Sequence, residues 1–496
     1  MRFNEWKRGT VSAVLLMGIS LTGCAGSGQP QASLPSTPDY PEQGKQGETL
    51  AGEDTVLGRP YSVGVDVVGR SAINDRRGNL AMAWSGHCAY VADGISLKRD
   101  GTLEMPPPGP RSGVAVIDVQ DASAPKVVRY LQDKGSIRAT ETLHAVTVGK
   151  KSLLAASTYG GVPGVNGPPE GWMSVYDVSK CAKPRMLAEV KWPEPAHTIT
   201  ISPSGRFVYG TVLNPFTGDG GIQIMDISNP SAPRFVGKFE ATAIDGKSFP
   251  FAPHELVFSP DEKRIYVGVV SSKGGDLNRH FKATSSRMPS AESVGQDAGG
   301  VYIFDNSDFA QGKRAPKLRL VGTAEHAGWH SPVRARIGGR PHIVSAGELG
   351  ACPGAWPRIT DISDEKVPRL VGEFKLAMNK RENCPEPDAI EKATGGMVGR
   401  SGIAASHFQD VDSAENTRLG LFSFMFAGLR IVDLRSPDSP KEIAYFKPGD
   451  ACMSHVRYLP ASGHIWLACS ASGFYVIKLK REVRASFALP TPRIAH

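Results

Sequence analysis

The chain has 496 residues, of which 40% are hydrophobic and 21% are charged, and its formal charge is +8 at pH 7. This is ample apolar material for a large folded core, and 55 glycines with 38 prolines suit a fold with many turns. The basic excess, 57 Lys and Arg against 49 Asp and Glu, is spread without a Lys/Arg cluster, which argues against nucleic-acid binding.

The first 24 residues resemble a bacterial lipoprotein signal peptide. Lys7 and Arg8 form a basic head, residues 11–21 form a short apolar run, and the sequence Leu-Thr-Gly precedes Cys24. The resemblance implies cleavage before Cys24 and acylation of that residue. The alternative is a membrane-spanning helix, which needs about 20 apolar residues, and the run is well short of that length.

The residue after the cysteine is Ala25, which in Gram-negative lipoproteins usually accompanies retention in the outer membrane. The resemblance therefore implies an outer-membrane lipoprotein that is held in the membrane by its lipid and faces the periplasm or the cell surface. Residues 25–58 are rich in Gly, Ser, Pro and Gln and are predicted to be a flexible tether. The folded domain is predicted to span residues 59–496.

A hairpin repeats along this domain. In the copy at residues 221–239, two runs of β-branched and aromatic residues flank turn formers, and Pro233 follows Asp226 by seven residues. Phe474–Lys478 is a copy without the aspartate. The seven-residue spacing recurs at Asp118–Pro125, Asp177–Pro184, Asp361–Pro368 and Asp433–Pro440, and it is eleven residues at Asp305–Pro316. Repeats of this size indicate an array of similar units.

Two further strand-like runs precede each hairpin, so every unit supplies four short strands. Four such strands make one blade of a β-propeller, and we name them A to D from the axis outwards. The sequence therefore predicts an all-β, seven-bladed β-propeller. Its units begin near Asn79, His144, His197, His254, His330, His407 and His455.

The ring of blades is predicted to be closed by an N-terminal strand. Residues 61–69 have the pattern of a D strand without a blade of their own, and the last unit has no clear fourth strand. Pairing the two removes exposed sheet edges. Residues 485–488 are the competing candidate for the fourth strand.

These units resemble the LVIVD-repeat family of bacterial and archaeal surface proteins, named for the strand that here reads Leu429-Arg-Ile-Val-Asp433. The resemblance covers residues 60–480 and implies a propeller. It leaves the function open, because propellers support both binding and catalysis.

Half of the twelve histidines are predicted to occupy one position of the repeat, immediately before strand A. They are His144, His197, His254, His330, His407 and His455, with Asn79 in that place in the first unit. Strand A lines the axial channel, so these side chains are predicted to form a ring around one of its mouths.

Two interpretations of the ring compete. Each imidazole could hydrogen-bond the turn between blades, or several could bind copper or another transition metal, because neutral imidazole suits copper, zinc, iron and nickel. Nitrous oxide reductase, a seven-bladed propeller with histidine-bound copper, is an analogue of the second arrangement, as is the histidine-rich selenium-binding protein group. The chain has no tight His-x-His spacing and no cysteine beside the ring, which weigh against metal binding.

Long connections are predicted at the end of the propeller that carries the ring. They span residues 94–111, 159–171, 271–299, 347–357 and 376–406, and they contain Trp329, Trp356, His280, His326, Glu325 and Glu348 or lie beside them. Long loops on a rigid scaffold usually carry recognition. One functional hypothesis is therefore a binding propeller whose long-loop face docks a partner protein or ligand. The alternative is a metal-dependent, copper-type oxidoreductase; motifs of a hydrolase are absent from the sequence.

Six cysteines remain if Cys24 is acylated, and an even number in an oxidising compartment predicts disulfides. The strand topology places cysteines of each pair at the same end of neighbouring strands or blades. The predicted pairs are Cys352–Cys384, Cys452–Cys469 and Cys88–Cys181.

Overall fold

Seven sheets of mainly antiparallel strands surround a common axis in the computed structural model, and six of them are built around consecutive strands A to D. The structure describes residues 61–97, 103–104, 107–160, 170–213, 220–271, 299–325, 327–347, 356–376, 379, 405–425 and 427–490. The protein is a seven-bladed β-propeller, as its repeats predict. Cys24 and the predicted signal and tether segments lie outside the described residues, as do Cys352 and Cys384.

Two N-terminal strands precede the first three blades. The N-terminal strands are β1 (Tyr61–Val63) and β2 (Val65–Ser71). Blade 1 comprises β3 (Asn79–Ser85), β4 (Cys88–Asp93), β7 (Val114–Asp118) and β8 (Lys126–Leu131), with the hairpin β5 (Ser96–Leu97) and β6 (Leu103–Glu104) between B and C. Blade 2 comprises β9 (Leu143–Val148), β10 (Lys151–Ser157), β11 (Gly171–Asp177) and β12 (Arg185–Trp192). Blade 3 comprises β13 (Ile199–Ile201), β14 (Phe207–Val212), β15 (Gly221–Asp226) and β16 (Arg234–Phe239).

Blade 4 is enlarged to six strands by the short strands β17 (Ala241–Thr242) and β18 (Ser248–Phe249). Its main strands are β19 (Ala252–Phe258), β20 (Arg264–Ser271), β21 (Gly300–Asp305) and β22 (Leu318–Ala324). Blade 5 comprises β23 (Val333–Ile337), β24 (Arg340–Ser345), β25 (Arg358–Asp361) and β26 (Arg369–Glu373). Blade 6 comprises β27 (Ser406–Val411), β28 (Leu419–Phe424), β29 (Gly428–Asp433) and β30 (Lys441–Lys447).

Blade 7 takes its fourth strand from the N-terminal end of the domain, as predicted. Its own strands are β31 (Arg457–Leu459), β32 (His464–Cys469) and β33 (Gly473–Leu479). Strand β2 pairs antiparallel with β33, from Val65 opposite Leu479 to Ser71 opposite Phe474. The preceding strand β1 adds a fifth strand to blade 6. The competing segment 485–488 forms no strand, because it consists of the end of a short helix and the turn that follows it.

The described helices are short: α1 (Ser307–Ala310), α2 (Arg481–Ser486) and a 3-10 turn (Ile73–Asp75). Within the part of the chain that the structure describes, no helix is long and apolar enough to cross a membrane.

The repeated aspartate closes the turn between strands C and D. Asp226 Oδ1 accepts a hydrogen bond from the backbone N–H of Ser228 at 2.9 Å. This Asx turn satisfies the backbone where the strand ends. The aspartates at the same place in blades 1, 2, 4, 5 and 6 accept equivalent bonds, at 2.7–3.0 Å. The aspartate recurs because each turn between strands C and D needs this hydrogen bond.

Apolar cores fill the spaces between neighbouring blades. Between blades 3 and 4, for example, Tyr209, Phe251 and Phe304 are buried together, and Tyr209 meets Phe258 edge to face with ring centroids 4.9 Å apart. Aromatic residues of this size contribute most of the apolar area in such a core. The blades thus hold one another in place and fix the inner strands around the axis.

Two of the predicted disulfides are present. Cys88, at the start of β4, is bonded to Cys181, in the C–D turn of blade 2. Cys452, just before blade 7, is bonded to Cys469, at the end of β32. The first joins two neighbouring blades, and the second ties strand B of blade 7 to its own entry segment.

Candidate metal centre

Four of the six predicted histidines meet at the axis: His197, His254, His330 and His407. All four are buried, with at most 5% of each residue exposed. Their rings follow one another around the axis with centroids 4.5, 3.9 and 4.4 Å apart. The innermost strands of blades 3 to 6 therefore deliver four imidazoles to one small volume.

A shared strand register brings these four together. In blade 3, Asp226 of strand C pairs with Phe207 of strand B, and the next residue, Val208, pairs with Ile201 of strand A. His197 lies four residues before Ile201. The other three histidines lie four residues before the equivalent pairs Phe258–Ile265, Arg334–Ile343 and Val411–Gly420. Equivalent positions on strand A put the side chains at one level of the channel.

Blade 2 places Glu141, not a histidine, at this level. In blade 2, Asp177 pairs with Leu153, and the next residue, Leu154, pairs with Ala145. Glu141 lies four residues before Ala145. The separation of nine residues between Ala145 and Leu154 also occurs in blades 5 and 6, whereas blades 3 and 4 have seven, so hairpin length alone does not show which residue lies at this level. An alignment of the blades on their histidines does not reveal Glu141. Locating it from the repeated aspartate requires the pairing register of strands A, B and C, which the sequence does not give.

Glu141 faces three of the imidazoles. Its Oε2 lies 3.7 Å from His197 Nε2 and 3.6 Å from His254 Nε2, and its Oε1 lies 3.6 Å from His407 Nε2. Ligand atoms of Glu141, His254 and His330 lie within 4.8 Å of one another. Glu141 Oε2 is buried and accepts no hydrogen bond from any residue that the structure describes. The cluster of Glu141, His197, His254, His330 and His407, which we call the axial cluster, thus combines four imidazoles with one carboxylate.

Two ring nitrogens in the cluster are in direct contact. His197 Nε2 lies 2.9 Å from His254 Nε2. Two nitrogens bound at the usual 2.0–2.1 Å to one ion lie about 2.9 Å apart when they subtend a right angle and about 3.3 Å apart at the tetrahedral angle. In the metal-free chain this contact is a hydrogen bond between the two rings, and the same separation lies within reach of two ligands of one ion.

His407 has the tautomer that a metal ligand requires. Its Nδ1 lies 2.7 Å from the carbonyl oxygen of Met453. A carbonyl only accepts, so Nδ1 donates, and Nε2 of the neutral ring presents its lone pair towards Glu141. Such a second hydrogen bond typically orients a metal-bound histidine.

Burial keeps imidazoles of the cluster neutral. It lowers the pKa of His254 and His330 well below the usual 6.5, and the neighbouring imidazoles lower it further. A neutral imidazole has the free lone pair that a metal requires. At pH 7 both rings are therefore in the form that binds metal.

His144 and His455 occupy other positions, which corrects the prediction of a six-histidine ring. The Ile201 N–H donates to His144 Nδ1 at 3.2 Å, and the Met82 N–H donates to His455 Nδ1 at 3.4 Å. Each ring thus braces the backbone of the next blade. Nε2 of the neutral ring then carries the hydrogen, and that of His455 faces Glu255 Oε1 at 3.1 Å. In blade 7 the position equivalent to the four histidines of the axial cluster is held by Ser454, one residue before His455.

Acidification should reveal the bracing role of His144. Burial lowers its pKa to about 4, with Glu255 opposing and His455 adding to the shift. A histidine with a depressed folded-state pKa stabilises the fold above pH 6.5, and this contribution is lost as the pH falls towards 4. Since His144 is only half-buried, we expect the wild type to lose at most about 2 kcal/mol more than His144→Gln between pH 7.5 and 5. Urea unfolding in chelator at both pH values measures this difference; equal losses would contradict the assignment.

The other residues that the sequence analysis singled out either pack or hydrogen-bond within the propeller, or lie outside the described residues. Trp329 is buried against His254, and the Trp356 indole N–H donates to Glu373 Oε1 at 2.8 Å. Asn79 donates to the Ser470 carbonyl at 3.2 Å and so links blade 1 to blade 7. His280, His326 and Glu348 lie outside the described residues.

Comparison with known proteins supports the fold. Residues 215–241, one copy of the repeated hairpin, match the model of the LVIVD repeat, so the chain carries at least one such repeat. No curated protein matches the chain.

Solved structures with similar folds share little sequence with it. The periplasmic gluconolactonase of Pseudomonas aeruginosa is 13% identical, with 73% of this chain and 86% of that chain covered and a TM-score of 0.48. A protein from Lactobacillus plantarum is 13% identical, with coverage of 72% and 85% and a TM-score of 0.46. Hydrazine synthase of Kuenenia stuttgartiensis is 11% identical, with coverage of 82% and 96% and a TM-score of 0.44. At these identities the likeness concerns the fold alone.

Proposed function

We propose that this protein is a metal-dependent oxidoreductase that holds a divalent first-row transition-metal ion, of copper type, in the axial cluster. The observation that carries the proposal is the buried contact of four imidazoles with one carboxylate, three of them with Nε2 within 3.7 Å of a Glu141 oxygen.

The carboxylate supports a bound cation. Glu141 is 5% exposed, and burying an ionised carboxylate without compensation costs several kcal/mol. Charge-assisted N–H···O bonds are about 2.7–2.9 Å long, so the distances of 3.6–3.7 Å to the imidazoles are too long for such bonds. A metal ion between these atoms would balance the carboxylate charge.

The donor set distinguishes between classes of metal site. Structural zinc sites are mostly rich in thiolate, and catalytic zinc sites use three protein ligands, so four imidazoles with a carboxylate fit neither pattern. Imidazole suits copper, iron and nickel. Such ions supply one-electron chemistry when bound. The chain itself holds neutral imidazoles, orients His407 through Met453 and keeps bulk water away from the cluster.

The metal content of the full chain, purified without a histidine tag, tests this proposal. After incubation with copper, iron, nickel or zinc salts and desalting, we expect about one ion per chain, with copper or iron retained best. A chain that retains none of the four would overturn the proposal.

We also propose that the propeller is an outer-membrane lipoprotein anchored through Cys24, which the Leu-Thr-Gly-Cys sequence after a short apolar run supports. The disulfides suit an oxidising compartment. Cys24→Ala should release the protein from the membrane fraction or leave the precursor unprocessed, as fractionation and intact-mass measurement would show. Unchanged mass together with unchanged membrane partitioning would refute the anchor.

Docking of a partner protein or ligand at the long-loop end is a second candidate function. It is favoured because the connections into strand A and between B and C are long, whereas the A–B turn of blade 2 is only residues 149–150. A photo-crosslinking residue at exposed Glu325, at the long-loop end, should capture a partner in intact cells. The same probe at exposed Lys150, at the opposite end, should not; equal capture at both sites, or none, would contradict this candidate.

A further inference from the structure

A second concave site lies at the long-loop end of blade 1, and none of its lining residues belongs to the axial cluster. It is a cleft of about 330 Å³ whose charged lining consists of Arg76, Arg77, Arg111, Arg138, Asp75 and Asp93. Four arginines against two aspartates leave a formal charge of +2 in the lining. The volume lies within the range of small-molecule sites, about 300–1,000 Å³.

One arginine builds the wall of this cleft. Arg76 is buried, and its guanidinium donates to Asn79 Oδ1 at 2.8 Å and to the carbonyl oxygens of Gly113 at 2.6 Å and Val91 at 3.0 Å. Its donors are therefore used in holding blade 1 together. Asp93 also belongs to the wall, because its Oδ1 accepts the Arg138 backbone N–H at 2.8 Å.

Two other arginines offer donors to the cleft. Arg77 is exposed, and its side chain makes no hydrogen bond or ion pair with any residue in the described ranges. Arg111 is also exposed and uses one nitrogen to donate to the Asn74 carbonyl oxygen. Because a guanidinium carries five N–H donors in a planar fork, both side chains retain the geometry that binds a carboxylate or phosphate in a bidentate way.

The backbone around the cleft is strained. Of the seven described non-glycine residues with positive φ, five line the cleft or lie within two residues of its lining. They are Ile73, Asn74, Asp75, Arg138 and Thr140, with φ between 43° and 58°. Such conformations cost of order 1–3 kcal/mol each and cluster at ligand clamps.

Surrounding contacts hold this strained segment in place. Ile73 is fully buried, and the Tyr130 hydroxyl donates to its carbonyl oxygen at 3.2 Å. The same hydroxyl accepts the side-chain amide of Asn74 at 3.1 Å. The loop that carries Arg77 is therefore fixed before any ligand arrives, which reduces the entropy cost of binding.

We propose that this cleft binds a small molecule through an anionic oxygen group, a carboxylate or a phosphate, with Arg77 and Arg111 as the binding side chains. The positive lining attracts the anion, the two guanidinium forks orient it, and the strained loop supplies a rigid frame. The inference is independent of the metal, since none of these residues belongs to the axial cluster.

Calorimetric titration of the full chain with inorganic phosphate and, separately, with succinate tests the proposal. The protein is treated with chelator, so that the anions have no metal to bind, and the buffer is of low ionic strength. We expect saturable binding of at least one of the two anions, and phosphate alone or succinate alone identifies the preferred group. Arg77→Gln/Arg111→Gln should weaken this binding at least about tenfold, the usual value of a lost charged pair.

Matched controls separate a built site from general electrostatic attraction. Arg185→Gln/Arg234→Gln removes the same charge from exposed D strands of blades 2 and 3 and should leave binding unchanged. Arg77→Gln alone alters an exposed side chain and keeps the test valid if the double variant unfolds. Equal weakening by both double variants, or binding of phosphate and succinate no stronger than that of chloride, would overturn the proposal.

Discussion

Replacing His197 and His407 together by alanine is expected to reduce the metal content of the chain from about one ion to near zero. The two residues lie on either side of Glu141, at 3.7 and 3.6 Å from its oxygens, so their loss removes half of the imidazoles and opens the site on both sides. Elemental analysis of the tag-free chain, after loading and desalting, measures the change. Circular dichroism confirms that the variant remains folded.

The matched control is His144→Ala/His455→Ala. It removes the same number of histidines, but both lie outside the axial cluster and present their Nδ1 atoms to backbone N–H groups. This variant should keep its metal and lose only stability. Equal metal content in the two double variants would contradict the four-histidine assignment.

Glu141 can be tested separately from the histidines. Glu141→Gln keeps the shape of the side chain and removes its charge. If the carboxylate balances the ion, metal affinity should fall by about 10- to 100-fold while the histidines remain in place. Unchanged affinity would show that the imidazoles alone hold the metal and that Glu141 has no part in it.

Removing the disulfide between blades 1 and 2 should destabilise the fold more than removing the one in blade 7. Cys88 and Cys181 are 93 residues apart, whereas Cys452 and Cys469 are 17 apart. In the chain-entropy model, a longer closed loop restricts the unfolded chain more. We expect a loss of about 4–5 kcal/mol for Cys88→Ala/Cys181→Ala and about 3 kcal/mol for Cys452→Ala/Cys469→Ala.

Urea unfolding of the two double variants and the wild type measures these losses. The reduced wild type provides the control, because it should be at least as unstable as either variant. A larger loss for the shorter loop would indicate that cavities or native contacts, rather than loop closure, dominate. No loss for Cys88→Ala/Cys181→Ala would show that packing alone holds blades 1 and 2 together.

The bracing histidines explain why a single residue type appears near the start of six blades. An imidazole can accept a backbone N–H through Nδ1, as His144 and His455 do, or donate through it, as His407 does to Met453. The first use leaves Nε2 protonated and the second leaves it free for a ligand. The hydrogen-bonding interpretation therefore holds for His144 and His455, and metal binding by the four histidines of the axial cluster stays a prediction.

The features that depend on local hydrogen bonding could be predicted from the amino-acid sequence. The aspartate that ends strand C forms an Asx turn within two residues, so its recurrence reported the hairpins, the number of blades and the fold. The unpaired strand at residues 61–69 likewise predicted closure of blade 7, because every strand edge in a ring requires a partner. The two observed disulfides followed from the strand order.

Which side chains meet at the axis depends on how the blades pack and could not be predicted. His197 and His254 are 57 residues apart in the chain and 2.9 Å apart at their ring nitrogens, and that contact depends on the pairing register of two separate blades. In blade 2 the pairing register places Glu141 at the level of the cluster and His144 three residues further along the strand, which the spacing of histidines does not encode. The arginine cleft arises in the same way, because the four segments that line it, between residues 75 and 138, meet only in the folded structure.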